Sequence, residues 1–188
     1  IFTAPLLTIL DQNAKEIRKY IGDDSVILEH HSNVVRSENT GDQLDPKELL
    51  EENWGAPVVI TSMVQLLNTM FSGRTGCIRR FQALCDSVII IDEVQAVPNY
   101  MLSLFNLAVN FLSQFCRVTF VLCSATQPCF DRAEHPLDNG GGRVMVPYQP
   151  ELWQTFRRTR MVDAGNLGLE EIPDFLMEKL DDVHNLLV

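Results

Sequence analysis

The stretch Ser87–Pro98, SVIIIDEVQAVP, constrains this chain more than any other. Val88 to Ile91 form a β-branched apolar run, the signature of a strand buried on both faces of a parallel sheet. Asp92 and Glu93 follow at once. Two adjacent carboxylates are costly to desolvate, so the strand must stop there and open onto a polar crevice. In an open parallel α/β sheet, the crevice beyond the strand ends is where ligands bind.

Three further segments read as strands, 25–30 (SVILEH), 57–61 (PVVIT) and 117–123 (RVTFVLC), beside 87–92. Helical patterns separate them. Leu6, Leu10, Ala14, Ile17 and Ile21 share one helix face; Asp45-Pro46 opens a helix over 45–52 as cap and first-turn proline. Helices are also expected over 62–71 and 78–84, and Pro98 opens another that buries Leu102, Phe105, Val109 and Leu112. Alternating strands and helices predict right-handed βαβ crossovers and an α/β fold built on a parallel sheet. After Pro128 the texture changes: 134–151 is rich in Pro and Gly without a period and reads as a linker. A short strand near 159–162, a helix near 169–180 and a new strand at Leu186 then suggest the opening of a second domain.

Composition narrows the function classes. The chain is 46% hydrophobic and 21% charged, which allows a sizeable core. Its net charge of −10 excludes a global basic field, so any nucleic-acid contact must be local. Cys77, Cys85, Cys116, Cys123 and Cys129 show no C-x-x-C pairing, and we expect reduced, buried thiols of a cytoplasmic protein. No apolar run approaches the roughly 18 residues of a membrane span, and no signal peptide is expected. Because the chain starts at Ile1 and stops inside the apolar run NLLV, we expect it to be part of a longer protein.

An acidic pair closing a buried strand suits a Walker B site, where the Asp holds Mg²⁺ and the Glu activates the water attacking a γ-phosphate. Alternatively, Asp92 caps the next helix and Glu93 is simply solvated. The strand 117–123 ends in Ser124-Ala125-Thr126, whose hydroxyls suit hydrogen bonding to the carboxylates next door; alone, they suit an ordinary hydroxyl turn.

DEVQ followed by SATQP resembles motifs II and III of superfamily 2 helicases. More narrowly, APLLTILDQNA, LEHHSN, ENWGAPVVITSMVQLLNTMF, SVIIIDEVQAVP and VLCSATQP occur in an order similar to the CRISPR-associated helicase–nuclease of type I interference systems. The resemblance implies a RecA-like parallel sheet with helices on both faces: residues 1–130 a first motor domain lacking its N-terminal P-loop element, 131–150 a linker, and 151–188 the start of a second RecA-like domain. It implies ATP and Mg²⁺ as cofactors, with single-stranded DNA and a CRISPR RNA-guided surveillance complex as partners. Asp92 is then the metal carboxylate, Glu93 the water-activating residue and Gln95 a nucleotide-facing position, while Ser124 and Thr126 couple nucleotide state to domain closure. Pro5, Thr8 and Gln12 match one nucleic-acid motif of the family, and Thr61 with Ser62 another. Leu6 and Leu7 depart from its pattern, where an aromatic and a hydroxyl are usual. Another superfamily 2 DNA or RNA helicase, or a docking segment without turnover, are the competing readings.

His30 and His31 fall in a framework motif of the family rather than a metal site, and no His-Asp dipeptide exists in the chain. Arg157, Arg158 and Arg160, beside Trp153 and Phe156, form either a strand-binding cluster or a solvated linker edge. The sequence contains no G-x-x-x-x-G-K-[ST] and no Gly-Lys dipeptide, and Gly140 to Gly142 lack the lysine a phosphate cradle needs. The expected active site is therefore half of one, and the chain alone is expected to be inactive.

Overall fold

The computed structural model describes residues 1–31, 46–126, 130–138, 142, 144–147, 149–158, 163 and 165–180. The chain divides into two compact units, Ile1–Gly140 and Gly141–Val188. In the first, five strands form one sheet: β1 (Phe2–Ala4), β2 (Ile27–His30), β3 (Val58–Ser62), β4 (Val88–Ile91) and β5 (Thr119–Leu122). Their order is β2-β3-β1-β4-β5 and all four pairings are parallel. The helices are α1 (Leu7–Ile21), α2 (Pro46–Asn53), α3 (Met63–Phe71), α4 (Thr75–Phe81) and α5 (Leu102–Phe115). This is the expected parallel α/β architecture, and it is consistent with a RecA-like arrangement.

The pleat assigns the faces. Neighbouring residues of β3 point to opposite sides, Val59 into one apolar cluster and Ile60 into another. Ile60 meets Ala4 and the Leu10–Ala14 stripe of α1. Val59, Ile89 and Ile91 meet Met63 and Leu66 of α3 and Phe105, Val109 and Leu112 of α5. Helices thus cover both faces. Each of these large side chains contributes roughly 1.5–3 kcal/mol through burial.

Cover is uneven, however. Ile89 and Ile91 are fully buried, whereas Val88 is 51% exposed, because α1 packs on β1 and β3 and stops short of β4. The expectation that Val88–Ile91 is buried on both faces therefore holds for one face only. Leu6 also departs from the expected stripe: it precedes α1 in extended conformation and is exposed, and Leu7 packs in its place. Gly22 ends α1 in the left-handed region (φ 70°), its N–H bonded to the Arg18 carbonyl at 2.8 Å, a stop that glycine makes without a Cβ clash.

Strand β1 is the element that sequence periodicity misses. Three residues are too few for a pattern, yet β1 occupies the middle of the sheet. Parallel pairing on both sides compensates for its shortness, with Ile90 N–H bonded to Ile1 C=O and Asp92 N–H to Thr3 C=O, each at 2.8 Å.

A second unforeseen feature is a polar ladder on α5. Asn106 is fully buried and donates to the Phe130 and His135 carbonyls at 3.1 and 2.9 Å. One turn on, Asn110 donates to Pro136 C=O and accepts from Asp138 N–H; Gln114 donates to the Asp138 carboxylate. Their i, i+4, i+8 spacing puts all three on one edge of the helix. The stretch 130–138 is thereby tied to α5, although it was expected to belong largely to a linker.

In the second unit, α6 (Pro150–Phe156) starts with Pro150 in its first turn, and α7 (Ile172–Leu180) lies within the helix expected near 169–180. No helix was expected over 150–156. The strands anticipated at 159–162 and Leu186 lie outside the described residues. Among the described residues, no helix is long and apolar enough to cross a membrane.

Asn106→Ala should remove the side-chain donor from the Phe130 and His135 carbonyls, leaving Phe130 C=O with the Leu137 N–H at 3.3 Å. We expect a loss of about 1–3 kcal/mol in unfolding free energy, read from the urea midpoint at unchanged slope. A change within error would show that the ladder follows the fold rather than securing it.

Candidate functional site

Parallel topology sends the carboxyl ends of all five strands to one edge. Pro5 follows β1, His31 follows β2, Ser62 ends β3, Asp92 follows β4, and Cys123 and Ser124 follow β5. In the β4–β5 register Ile91 lies opposite Leu122, so the acidic pair and the hydroxyl triplet emerge side by side. Cys123 N–H bonds Ile91 C=O at 2.8 Å, and Val94 N–H bonds Cys123 C=O at 3.0 Å, carrying the pairing past the acidic residues.

The turn that displays the pair is strained. Glu93 is left-handed at φ 51° and ψ 47°, a conformation that costs a residue with a Cβ roughly 1–2 kcal/mol. Local bonds oppose this: Asp92 Oδ1 accepts the Glu93 N–H at 3.0 Å, and Glu93 C=O accepts from Ala96 N–H at 2.9 Å in the 3₁₀ turn Val94–Ala96. Val94 and Val97 are buried beneath the turn, whereas Asp92 and Glu93 stay half-buried and Gln95 exposed. The alternative of a simply solvated Glu93 is thus met only in part.

A polar chain then crosses from one strand end to the other. The Gln95 amide donates to the Glu93 carboxylate, and the Ser124 hydroxyl donates to Gln95 Oε1 at 2.7 Å. Ser124 Oγ also accepts the Thr126 N–H at 3.1 Å and lies against the Thr126 carbonyl. A hydroxyl carries one proton, so Ser124 serves either Gln95 or the Thr126 carbonyl at a given moment. The triplet makes the hydroxyl turn; among the described residues its hydroxyls do not bond the carboxylates directly, and Ser124 meets Gln95 instead, which in turn holds Glu93. Asp92 stands near Cys123, whose thiol is pushed above its ordinary value by burial first and the Asp92 charge second.

The other sequence-selected residues divide by accessibility. Thr8 and Gln12 sit one turn apart and exposed on α1, behind the half-buried Pro5. Ser62 caps α3 by accepting the Gln65 N–H at 3.3 Å. Thr61 is fully buried, its hydroxyl donating to His30 C=O at 2.7 Å, so that proton serves the framework. His30 accepts from the buried Trp54 indole at 3.2 Å, which fits the framework role expected of it. His31 is buried with Nε2 3.8 Å from Asp11 and 3.5 Å from Glu29, a neighbourhood that sequence spacing did not reveal because it spans α1 and β2. Arg157, Arg158 and Phe156 are exposed at the end of α6; Arg160 lies outside the described residues.

Two grooves lie at the opposite, amino edge of the sheet. The larger, of about 450 Å³, is lined by Phe2, Ile17, Tyr20, Val88 and Ile90 and touches neither Asp92 nor Glu93. Among the described residues no group of three or more His, Cys, Asp or Glu side chains is placed to hold a metal ion by itself. Asp92 nevertheless suits one cation: Oδ1 accepts the Glu93 N–H, and among the described residues no hydrogen bond engages Oδ2. Mg²⁺ typically takes one or two carboxylates and completes its shell with water and phosphate oxygens, so a single carboxylate fits the group.

The Gln95–Ser124 bridge is testable as a double-mutant cycle. Gln95→Ala and Ser124→Ala, singly and together, should show a coupling of about 0.5–1.5 kcal/mol in chemical denaturation. Additive effects would mean the two strand ends are not joined through these side chains.

No protein-family model matches the chain, and a search of curated proteins finds no match.

Proposed function

We propose that this chain is part of an ATP-dependent, single-stranded-DNA translocase or helicase of superfamily 2, acting in CRISPR type I defence. One observation carries the reading: the carboxyl ends of adjacent parallel strands present Asp92-Glu93 and Ser124, joined through Gln95. A parallel sheet provides many strand ends, but an acidic pair wired to a hydroxyl on the next strand suits nucleotide hydrolysis linked to movement. The ordered resemblance over residues 1–130 supplies the CRISPR assignment, the RNA-guided surveillance complex as recruiting partner and the cytoplasm as location.

In this reading Asp92 holds Mg²⁺, which when bound neutralises charge on the phosphate oxygens of ATP. Glu93, lifted from the strand by its left-handed turn, takes a proton from the attacking water. Gln95 holds the Glu93 carboxylate from the side. Because the Ser124 proton has two acceptors, a change at Gln95 is felt at the Ser124–Thr126 turn. Thr8 and Gln12, exposed on α1, suit sequence-independent contacts to a nucleic-acid backbone, while the buried Ser62 caps α3. Residues 151–188 begin the second motor domain in this proposal. The phosphate-gripping lysine comes from outside the 188 residues, which contain no Gly-Lys dipeptide.

The test uses the complete reading frame. Glu93→Gln should retain Mg²⁺-ATP binding by calorimetry and lower DNA-stimulated phosphate release by about 10²–10⁴, the usual loss for a positioned base. Asp92→Asn should weaken nucleotide binding as well as turnover. The 188-residue chain alone should release phosphate no faster than buffer. Near-native turnover by Glu93→Gln would return Glu93 to the role of a turn residue and remove the proposal's main support.

A further inference from the structure

The amino edge of the same two strands carries an unassigned arrangement. Cys85 ends the 3₁₀ turn Gln82–Leu84 and Cys116 ends α5. Each is followed by a left-handed residue, Asp86 at φ 56° and Arg117 at φ 55°, and then by one residue before its strand. The two strand entries are thus built alike, and the β4–β5 register, extended backward from Val88↔Thr119, places Cys85 opposite Cys116.

Contacts bear out that register. Asp86 N–H bonds Cys116 C=O at 2.9 Å, and Thr119 N–H bonds Ser87 C=O at 3.0 Å. Arg117 grips the Asp86 carboxylate with two bonds of 2.5 and 2.7 Å. The Cys85 and Cys116 thiols are close enough to influence each other's protonation. The expectation of uniformly buried thiols fails at this place: Cys85 is exposed and Cys116 half-buried, whereas Cys77 is buried. Cys85 also borders the second groove, of about 380 Å³, which leaves a reagent room to approach its sulfur.

We propose that Cys85 and Cys116 form a dithiol site that exchanges reversibly with small-molecule disulfides of the glutathione type. The Cys85 thiolate, exposed and close to the Arg117 cation, attacks one sulfur of the reagent and expels a thiolate. Cys116 then loses its proton to solvent, attacks the Cys85 sulfur and expels the second thiolate. Two protein thiols are oxidised and one disulfide is reduced to two thiols. The order follows from the surroundings: partial burial first, and the neighbouring Cys85 thiol next, push the Cys116 thiol upward, so it acts second. The product closes a loop containing Asp92, Glu93 and all of α5, and staples the amino ends of the strands whose carboxyl ends form the candidate site.

The probe is oxidised glutathione applied to the full 188-residue chain, followed by alkylation of free thiols and peptide mapping. Trypsin leaves both cysteines in one peptide, since Arg80 and Arg117 are the nearest cleavage sites; a protease cutting after Glu93 separates them. We expect a Cys85–Cys116 cross-link, no retained glutathione, and complete reversal by dithiothreitol. Cys116→Ser should trap glutathione on Cys85, and Cys85→Ser should leave Cys116 unmodified over the same interval. Glutathione retained on Cys85 of the unaltered chain, or alkylation of both cysteines after treatment, would overturn the proposal. The peptide map of the unaltered chain decides the matter even if a variant fails to fold.

Discussion

The parallel pairing of β4 with β5 is the interaction on which the rest depends. Its register, Val88↔Thr119 through Ile91↔Leu122, fixes both ends of two strands at once. At the carboxyl end it brings Ser124 to Gln95 and so to Glu93; at the amino end it brings Cys116 to Cys85. Side chains alternate along a strand, so slipping the pair by one residue would turn Ile89 and Ile91 out of the core. Burial of those two isoleucines against Phe105 and Leu112 therefore holds the candidate chemistry in place.

The site combines a rigid base with a strained display. Val94 and Val97 anchor the turn from below while Glu93 takes an unfavourable backbone conformation above them. Strain of this kind persists only where the surroundings over-determine it. Here they do so with backbone bonds to Asp92, Ala96 and Cys123. Farther along, the α5 ladder of Asn106, Asn110 and Gln114 fastens residues of the segment 130–138.

Legibility followed the length and regularity of each pattern. The run at Val88–Ile91 announced β4, the spacing of Leu10, Ala14 and Ile17 announced α1, and Ser62 marked the start of α3. Phe2–Ala4 announced nothing, since a three-residue strand gains its stability from two neighbours distant in sequence. Nothing local marked the α5 asparagines, because the carbonyls they bond lie some 24 to 29 residues away. Thr61 read as a contact residue, but the structure turns its hydroxyl toward His30, a decision made by the β2–β3 pairing.

By itself, the sequence determined the class of fold and the chemistry available at a strand end, because periodicity and an abrupt change from apolar to acidic residues are local properties. Which strands would be neighbours was not local. Only the tertiary structure placed β1 at the sheet centre, left Val88 half uncovered, joined Ser124 to Gln95 and set Cys85 against Cys116. Each of these depends on hydrogen-bond register between segments far apart in the chain, and no local pattern of residues encodes such a register.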